Sequence, residues 1–216
     1  MKEFAVIGLG RFGSSLARTL WKMGHSVLAI DASEERVQAM MDTVTRAVQL
    51  DAMDEESLKA LGIRNFDVVV VGIGQDVQAN ILVAITLKEL GVKYVVAKAA
   101  NHLHGKVLEK IGVDKVVYPE RDMGIRLAHN LVSGNVLDYI ELSPEYSIVE
   151  IVATGRIAGK TLGQLDLRAR HNITVIAIKK PAGQIVASPG ALDIIEEGDV
   201  VVAIGANKAL ERLEEK

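Results

Sequence analysis

The sequence predicts an α/β fold, a doubly wound parallel sheet followed by a small α+β domain. Three observations predict it. Strand-like and helix-like segments alternate through roughly the first 130 residues. A glycine turn, Gly8-x-Gly10-x-x-Gly13, joins the first strand to the first helix. Val68-Val-Val-Val71 is β-branched on both faces, the mark of a strand covered on both sides.

The elements follow in order. Strands are expected at 3–8, 26–30, 45–50, 67–73, 93–98 and 115–118, and helices at 12–23, 33–41, 54–61, 77–90, 103–111 and 121–132. Ser33-Glu-Glu opens the second helix with a capping hydroxyl and acids in its first turn. This is the Rossmann-like pattern, which places ligands at the carboxyl ends of the strands. Three further strand ends therefore face the site: Asp51-Ala52, Ile73-Gly74-Gln75 and Lys98-Ala99. Composition then changes. Ser133-Gly134-Asn135 breaks the sixth helix, 137–142 reads as extended, and Ser143-Pro144-Glu145 as a loop. Strand 147–153, helix 161–170, strands 173–180, 184–188 and 199–204, and a helix near 207–215 follow. Pro181-Ala-Gly183, Pro189-Gly190 and Glu197-Gly198-Asp199 supply the turns. The domains are thus 1–134 and 135–216, the second small enough to suggest docking or dimerisation.

Each glycine of the fingerprint has its own task. Gly8 permits the tight turn, Gly10 admits a pyrophosphate to the backbone, and Gly13 lets the helix pack on the strand. The helix N-terminus behind them offers N–H groups and a positive dipole end. Asp31, eighteen residues after Gly13, stands where an acid accepts hydrogen bonds from a ribose diol. It also repels a 2′-phosphate, which argues against NADP. Arg11 follows Gly10 at a position where the helix dipole disfavours a cation, so a nucleotide's outer phosphates are its expected partner. Lys98 and His104 point to the same edge of the sheet. Glu120, in Pro119-Glu-Arg-Asp122, would repel bound phosphates unless a shared metal ion intervened.

Other classes recede. A net charge of −3 carries no nucleic-acid signature, and the absence of cysteine excludes disulfides and thiol chemistry. No apolar run reaches membrane-spanning length and no signal peptide is evident, so a membrane role is expected only through a partner. The five histidines, at 25, 102, 104, 129 and 171, form no acid–base or metal-ligand spacing, which weighs against a dehydrogenase. A nucleotide sensor is the expectation, an NAD-dependent oxidoreductase the alternative.

Four segments carry a family resemblance: Phe4 to Gly13, Leu61-Gly-Ile-Arg-Asn-Phe66, Val107-Leu-Glu-Lys-Ile-Gly112 and Tyr118-Pro-Glu-Arg-Asp-Met-Gly124. With Asn135-Val-Leu-Asp-Tyr-Ile140 and Tyr146-Ser-Ile-Val-Glu150, they resemble the KtrA-type regulatory subunits of potassium transporters. These belong to the wider RCK (regulator of potassium conductance) family, which includes TrkA. The resemblance implies an RCK-N and an RCK-C domain and a homodimer that assembles into an octameric ring. The ring would be cytoplasmic, docked beneath a KtrB-like membrane subunit at the inner face of the membrane, with ATP favouring conduction over ADP. NAD(H) binds some relatives and remains the alternative ligand of a TrkA-like sensor.

By the same resemblance, Gly8, Gly10, Arg11, Phe12 and Gly13 meet the phosphates, and Asp31, Ala32 and Ser33 line the ribose side. Asp51 and Ala52 lie near the adenine, although some relatives carry Asn at the position of Asp51. Ile73, Gly74, Gln75, Lys98, Ala99, Ala100 and His104 complete the pocket. Glu120 matches an acid that holds a divalent cation or sodium between neighbouring nucleotides. Leu162, Leu165, Asp166, Arg168, Ile173 and Pro189 match a cyclic di-AMP cleft between two RCK-C copies, with Arg168 as the phosphate ligand.

Overall fold

The computed structural model describes residues 1–132 and 136–214. The chain divides after Pro119 into two compact units. The expected break at 133–135, the expected boundary between 134 and 135, and the last expected residue of the C-terminal helix lie outside the described residues.

The first unit alternates strand and helix: β1 (Glu3–Ile7), α1 (Arg11–Lys22), β2 (Ser26–Asp31), α2 (Glu34–Gln38), β3 (Arg46–Gln49), α3 (Glu55–Ala60), β4 (Val68–Val71), α4 (Val77–Glu89), β5 (Val95–Lys98), α5 (His102–Ile111) and β6 (Lys115–Val117). All six strands run parallel in the order β3-β2-β1-β4-β5-β6. The order reverses between β1 and β4, which opens a crevice at their carboxyl ends. Successive side chains of a strand point to opposite faces, and here both faces are apolar. Ala5, Ile7, Leu28, Ile30, Val69 and Val71 pack with Leu58 of α3, Leu87 of α4 and Leu108 of α5. Val6, Val27, Ala29 and Val70 take the other face, with Ala17 of α1 and Val37 of α2. The valine run is thus buried on both sides.

The second unit begins with α6 (Pro119–Val132), whose first residue belongs to the first unit. It continues through β7 (Val136–Ser143), β8 (Tyr146–Val152), β9 (Lys160–Thr161), α7 (Leu162–Leu165), α8 (Leu167–His171), β10 (Thr174–Lys179), β11 (Ile185–Ala187), β12 (Ile194–Ile195), β13 (Val200–Ala206) and α9 (Asn207–Glu214). Five antiparallel strands order as β11-β10-β13-β8-β7, and β12 pairs with β9. Val149, Ile151, Leu167, Ile173, Ile178, Val201 and Leu210 form a separate core. α6 joins this unit through Arg126, whose Nε and Nη2 donate to the Asp138 carboxylate of β7 at 2.7 and 2.6 Å. Lys180 donates to the fully buried Asp199 at 2.8 Å and to Glu196 at 2.9 Å, tying the turn before β13 to the end of β10.

The expected helix 161–170 is two helices. Asp166 ends α7 and begins α8 in the left-handed conformation, φ 47°, which an Asp side chain tolerates better than most. Thr161 and Gln164 close a capping box on α7, so the first turn is well anchored before the break. The β9–β12 pair was also unexpected, at two residues per strand too short to leave a periodic signal.

Candidate functional site

The three glycines behave differently. Gly8 has φ +90° and its Cβ position would lie 2.8 Å from the Ile73 nitrogen, so both turn and packing demand glycine. A Cβ on Gly13 would lie 1.9 Å from the Gly8 carbonyl oxygen, which fixes how closely α1 approaches the loop. Gly10 differs: its backbone conformation is ordinary, and a Cβ there would meet nothing within 4 Å. The fold itself does not require glycine at position 10. That leaves an external group brought against the backbone as the reason for it.

α1 starts at this loop without a side-chain cap and without an acid in its first turn. The N–H groups of Arg11, Phe12 and Gly13 therefore have no partner within the helix. Arg11 is exposed, and its guanidinium makes no hydrogen bond or ion pair among the described residues. Open backbone donors, a positive dipole end and an arginine whose guanidinium has no partner among the described residues thus share the first turn of α1.

Asp31, only 7 % exposed, does more than the sequence indicated. Its Oδ2 accepts the Leu9 N–H at 2.6 Å and its Oδ1 accepts the Ser33 N–H at 2.9 Å. Arg36 reaches the same carboxylate at 3.5 Å. The acid at the end of β2 thus braces the glycine loop after β1, and Oδ1 keeps acceptor capacity beyond its bond to Ser33. Ser33 caps α2 by accepting the Arg36 N–H, while Ala32 stands exposed beside it.

The far wall comes from β4 and β5. Lys98 extends over this edge, its Nζ 6.0 Å from the centroid of the Phe12 ring, and a Cβ on Gly74 would lie 3.0 Å from that Nζ. Ile73 is half-buried, Gln75 and Ala100 are exposed, and Ala99 is buried. Asp51 is exposed and its Oδ1 accepts the Met53 N–H, shaping the turn into α3, while Ala52 lies in the core. His104 is buried, and its Nδ1 accepts the Ala100 N–H at 3.2 Å. Burial holds its imidazole below the usual histidine range, so the ring is neutral. The proton then sits on Nε2, which is buried with no partner among the described residues.

Sequence reading missed Asn80. On the buried face of α4 and fully inaccessible, it donates through Nδ2 to the Ile73 carbonyl at 2.7 Å and the Lys98 carbonyl at 3.2 Å. It ties the ends of β4 and β5 together beneath the site. A polar residue in an otherwise apolar helix stripe, Val77 to Leu87, was the available signal.

Glu120 belongs to the second unit and stands exposed in the first turn of α6. Among the described residues no three His, Cys, Asp or Glu side chains cluster in a way that could hold a metal ion. In that unit Ile173 is buried in the core, Leu162 and Leu165 pack against it, Pro189 is half-buried, and Asp166 and Arg168 are exposed. No helix among the described residues is long and apolar enough to cross a membrane.

The TrkA-N domain family matches residues 4–119, and the TrkA-C domain family matches residues 146–216. The chain is 50 % identical to the Ktr system potassium uptake protein C of Bacillus subtilis, covering all of this chain and 97 % of that protein. It is 48 % identical to protein A of the same system and organism, over 99 % of this chain and 96 % of that one. Among solved structures, the GsuK channel bound to NAD superposes with a TM-score of 0.70 at 19 % identity, a likeness of fold. All of this chain is covered there, but it spans only 40 % of the channel chain.

Proposed function

This chain belongs to the family of proteins built from a TrkA-N and a TrkA-C domain, and from that premise we propose that it is the nucleotide-sensing regulatory subunit of a membrane potassium transporter. One observation carries the reading: a braced glycine loop presents open N–H groups beside an Arg11 with no partner among the described residues. Such a site holds and senses an anionic nucleotide.

The nucleotide is ATP or ADP. Gly10 admits the pyrophosphate, Asp31 takes a ribose hydroxyl, and Arg11 meets the outermost phosphate. NAD, which GsuK binds, has a diphosphate bridge with no terminal phosphate for Arg11 to grip. Glu120 alone cannot hold a cation, so a divalent ion or sodium there needs phosphate oxygens and a second copy of the chain as well. Copies of the chain pair and close into an octameric ring, and the ring couples nucleotide exchange to a membrane subunit on the cytoplasmic side. Native mass spectrometry of the purified protein tests ring and ligand together. The expected mass is an octamer retaining adenine nucleotide; a ligand-free monomer under all conditions refutes the reading.

Two further outcomes separate this function from its rivals. Incubated with NADH and a panel of ketoacids and aldehydes, the protein is expected to oxidise no cofactor above background. Robust turnover, followed by absorbance, would restore the oxidoreductase reading. The exposed Arg168 makes no ion pair among the described residues and is the proposed phosphate ligand for cyclic di-AMP. Arg168→Ala should weaken that dinucleotide by about 1–3 kcal/mol in calorimetry, the scale of a hydrogen bond to a charged group. An unchanged affinity removes Arg168 from the site.

A further inference from the structure

A cavity of about 510 Å³ opens in the second unit. Its floor is apolar: Ile157, Leu165 and Leu167 from one side, Ala209 and Leu213 of α9 from the other. The other described residues that line it are Arg156, His171 and Arg212, so among the described residues no carboxylate does. Arg156 is held there through one nitrogen, its Nη1 donating to the Arg212 carbonyl at 3.2 Å. That bond places one guanidinium against the last turn of α9 and leaves its other donors open. Neither the Arg212 guanidinium nor the His171 ring has a partner among the described residues.

Arg156 and Arg212, both exposed, bring two like charges to one cavity, a repulsion that a bound anion would relieve. The chain as a whole is net negative, so this concentration of positive charge is local rather than compositional. An inorganic anion would use the cations and leave the half-buried Leu165, Ala209 and Leu213 wet. A neutral hydrocarbon would use the floor and leave the guanidinium donors unmet. We propose that this cavity binds a small organic anion, a carboxylate or phosphate head on an apolar body, with Arg156 and Arg212 gripping the head. It shares only Leu165 with the residues matched to cyclic di-AMP, and Arg168 does not line it.

Calorimetric titration of the full chain with decanoate, decanol and inorganic phosphate tests this. Decanoate is expected to saturate one site per chain, and decanol and phosphate each to bind at least about tenfold more weakly, as loss of the charged or the apolar half requires. Arg156→Ala combined with Arg212→Ala should weaken decanoate by about tenfold or more, with Arg212→Lys retaining part of the affinity. Arg168→Ala should leave decanoate binding unchanged, and all these variants should bind ATP as the parent does. If the double variant melts early, Ala209→Phe, which fills the cavity and keeps both cations, serves instead and should abolish decanoate binding. Parent-like decanoate affinity in the double arginine variant or in Ala209→Phe overturns the proposal, as does decanol binding as tightly as decanoate or the absence of saturation. Loss of decanoate on Arg168→Ala would move the anion to another face of the domain and equally refute it.

Discussion

Gly10→Val is expected to abolish ATP and ADP binding while the protein folds and melts as before. The two halves of that result have separate causes. No atom lies within 4 Å of a Cβ at position 10, and the backbone there is one any residue adopts, so the fold accommodates the side chain. The valine methyl groups would instead occupy the space through which a pyrophosphate reaches the N–H groups of α1. Calorimetry with ATP and a thermal melt settle both halves. Gly13→Ala is the control with the opposite signature: its Cβ would press on the Gly8 carbonyl oxygen, at a cost to stability of about 1–3 kcal/mol. Unchanged ATP affinity in Gly10→Val would rule out this turn as the phosphate site.

Arg11→Ala is expected to separate ATP from ADP. The two nucleotides share adenine, ribose and two phosphates, so Gly8 to Gly13 and Asp31 should hold them almost equally. A ligand shifts a conformational equilibrium only by its differential affinity for the two states. The switch needs a group that meets the third phosphate, and Arg11 is an exposed cation of this loop with no described partner to give up. Its removal should weaken ATP by about 1.5–3 kcal/mol, the scale of a charge-assisted hydrogen bond. ADP should change much less, and ATP should no longer activate potassium flux in vesicles carrying the membrane subunit. Equal losses for both nucleotides would make Arg11 a general anchor and send the search for the sensing group elsewhere.

Much of the first unit was legible because its signals are local. The valine run, the capping Ser33 and the glycine spacing each act within a few residues, and β1 to β6 fall where those signals put them. Asn80 was not legible. Its two acceptors lie 7 and 18 residues away, so only the folded sheet brings them under one amide. The sequence marked Asp31 as a ribose ligand but not as the brace of Leu9, for the same reason. The break at Asp166 failed differently: the flanking residues are ordinary helix formers, and one left-handed residue leaves no trace in the apolar periodicity. Where Glu120 would act, between copies of the chain, no single sequence could say what faces it.

The hydrogen bond from the Leu9 N–H to Asp31 has a consequence for timing. A glycine-rich loop is normally costly to order, and a ligand that orders one loses part of its contact energy in doing so. Here a buried carboxylate already braces the loop with no ligand bound, so a nucleotide bound as proposed would meet a loop set in shape. Arrival then requires no loop closure and departure no loop opening. On the proposed function the residence time of each nucleotide would reflect its own phosphate contacts, and the site would follow a changing ATP to ADP ratio as fast as the ligands themselves dissociate.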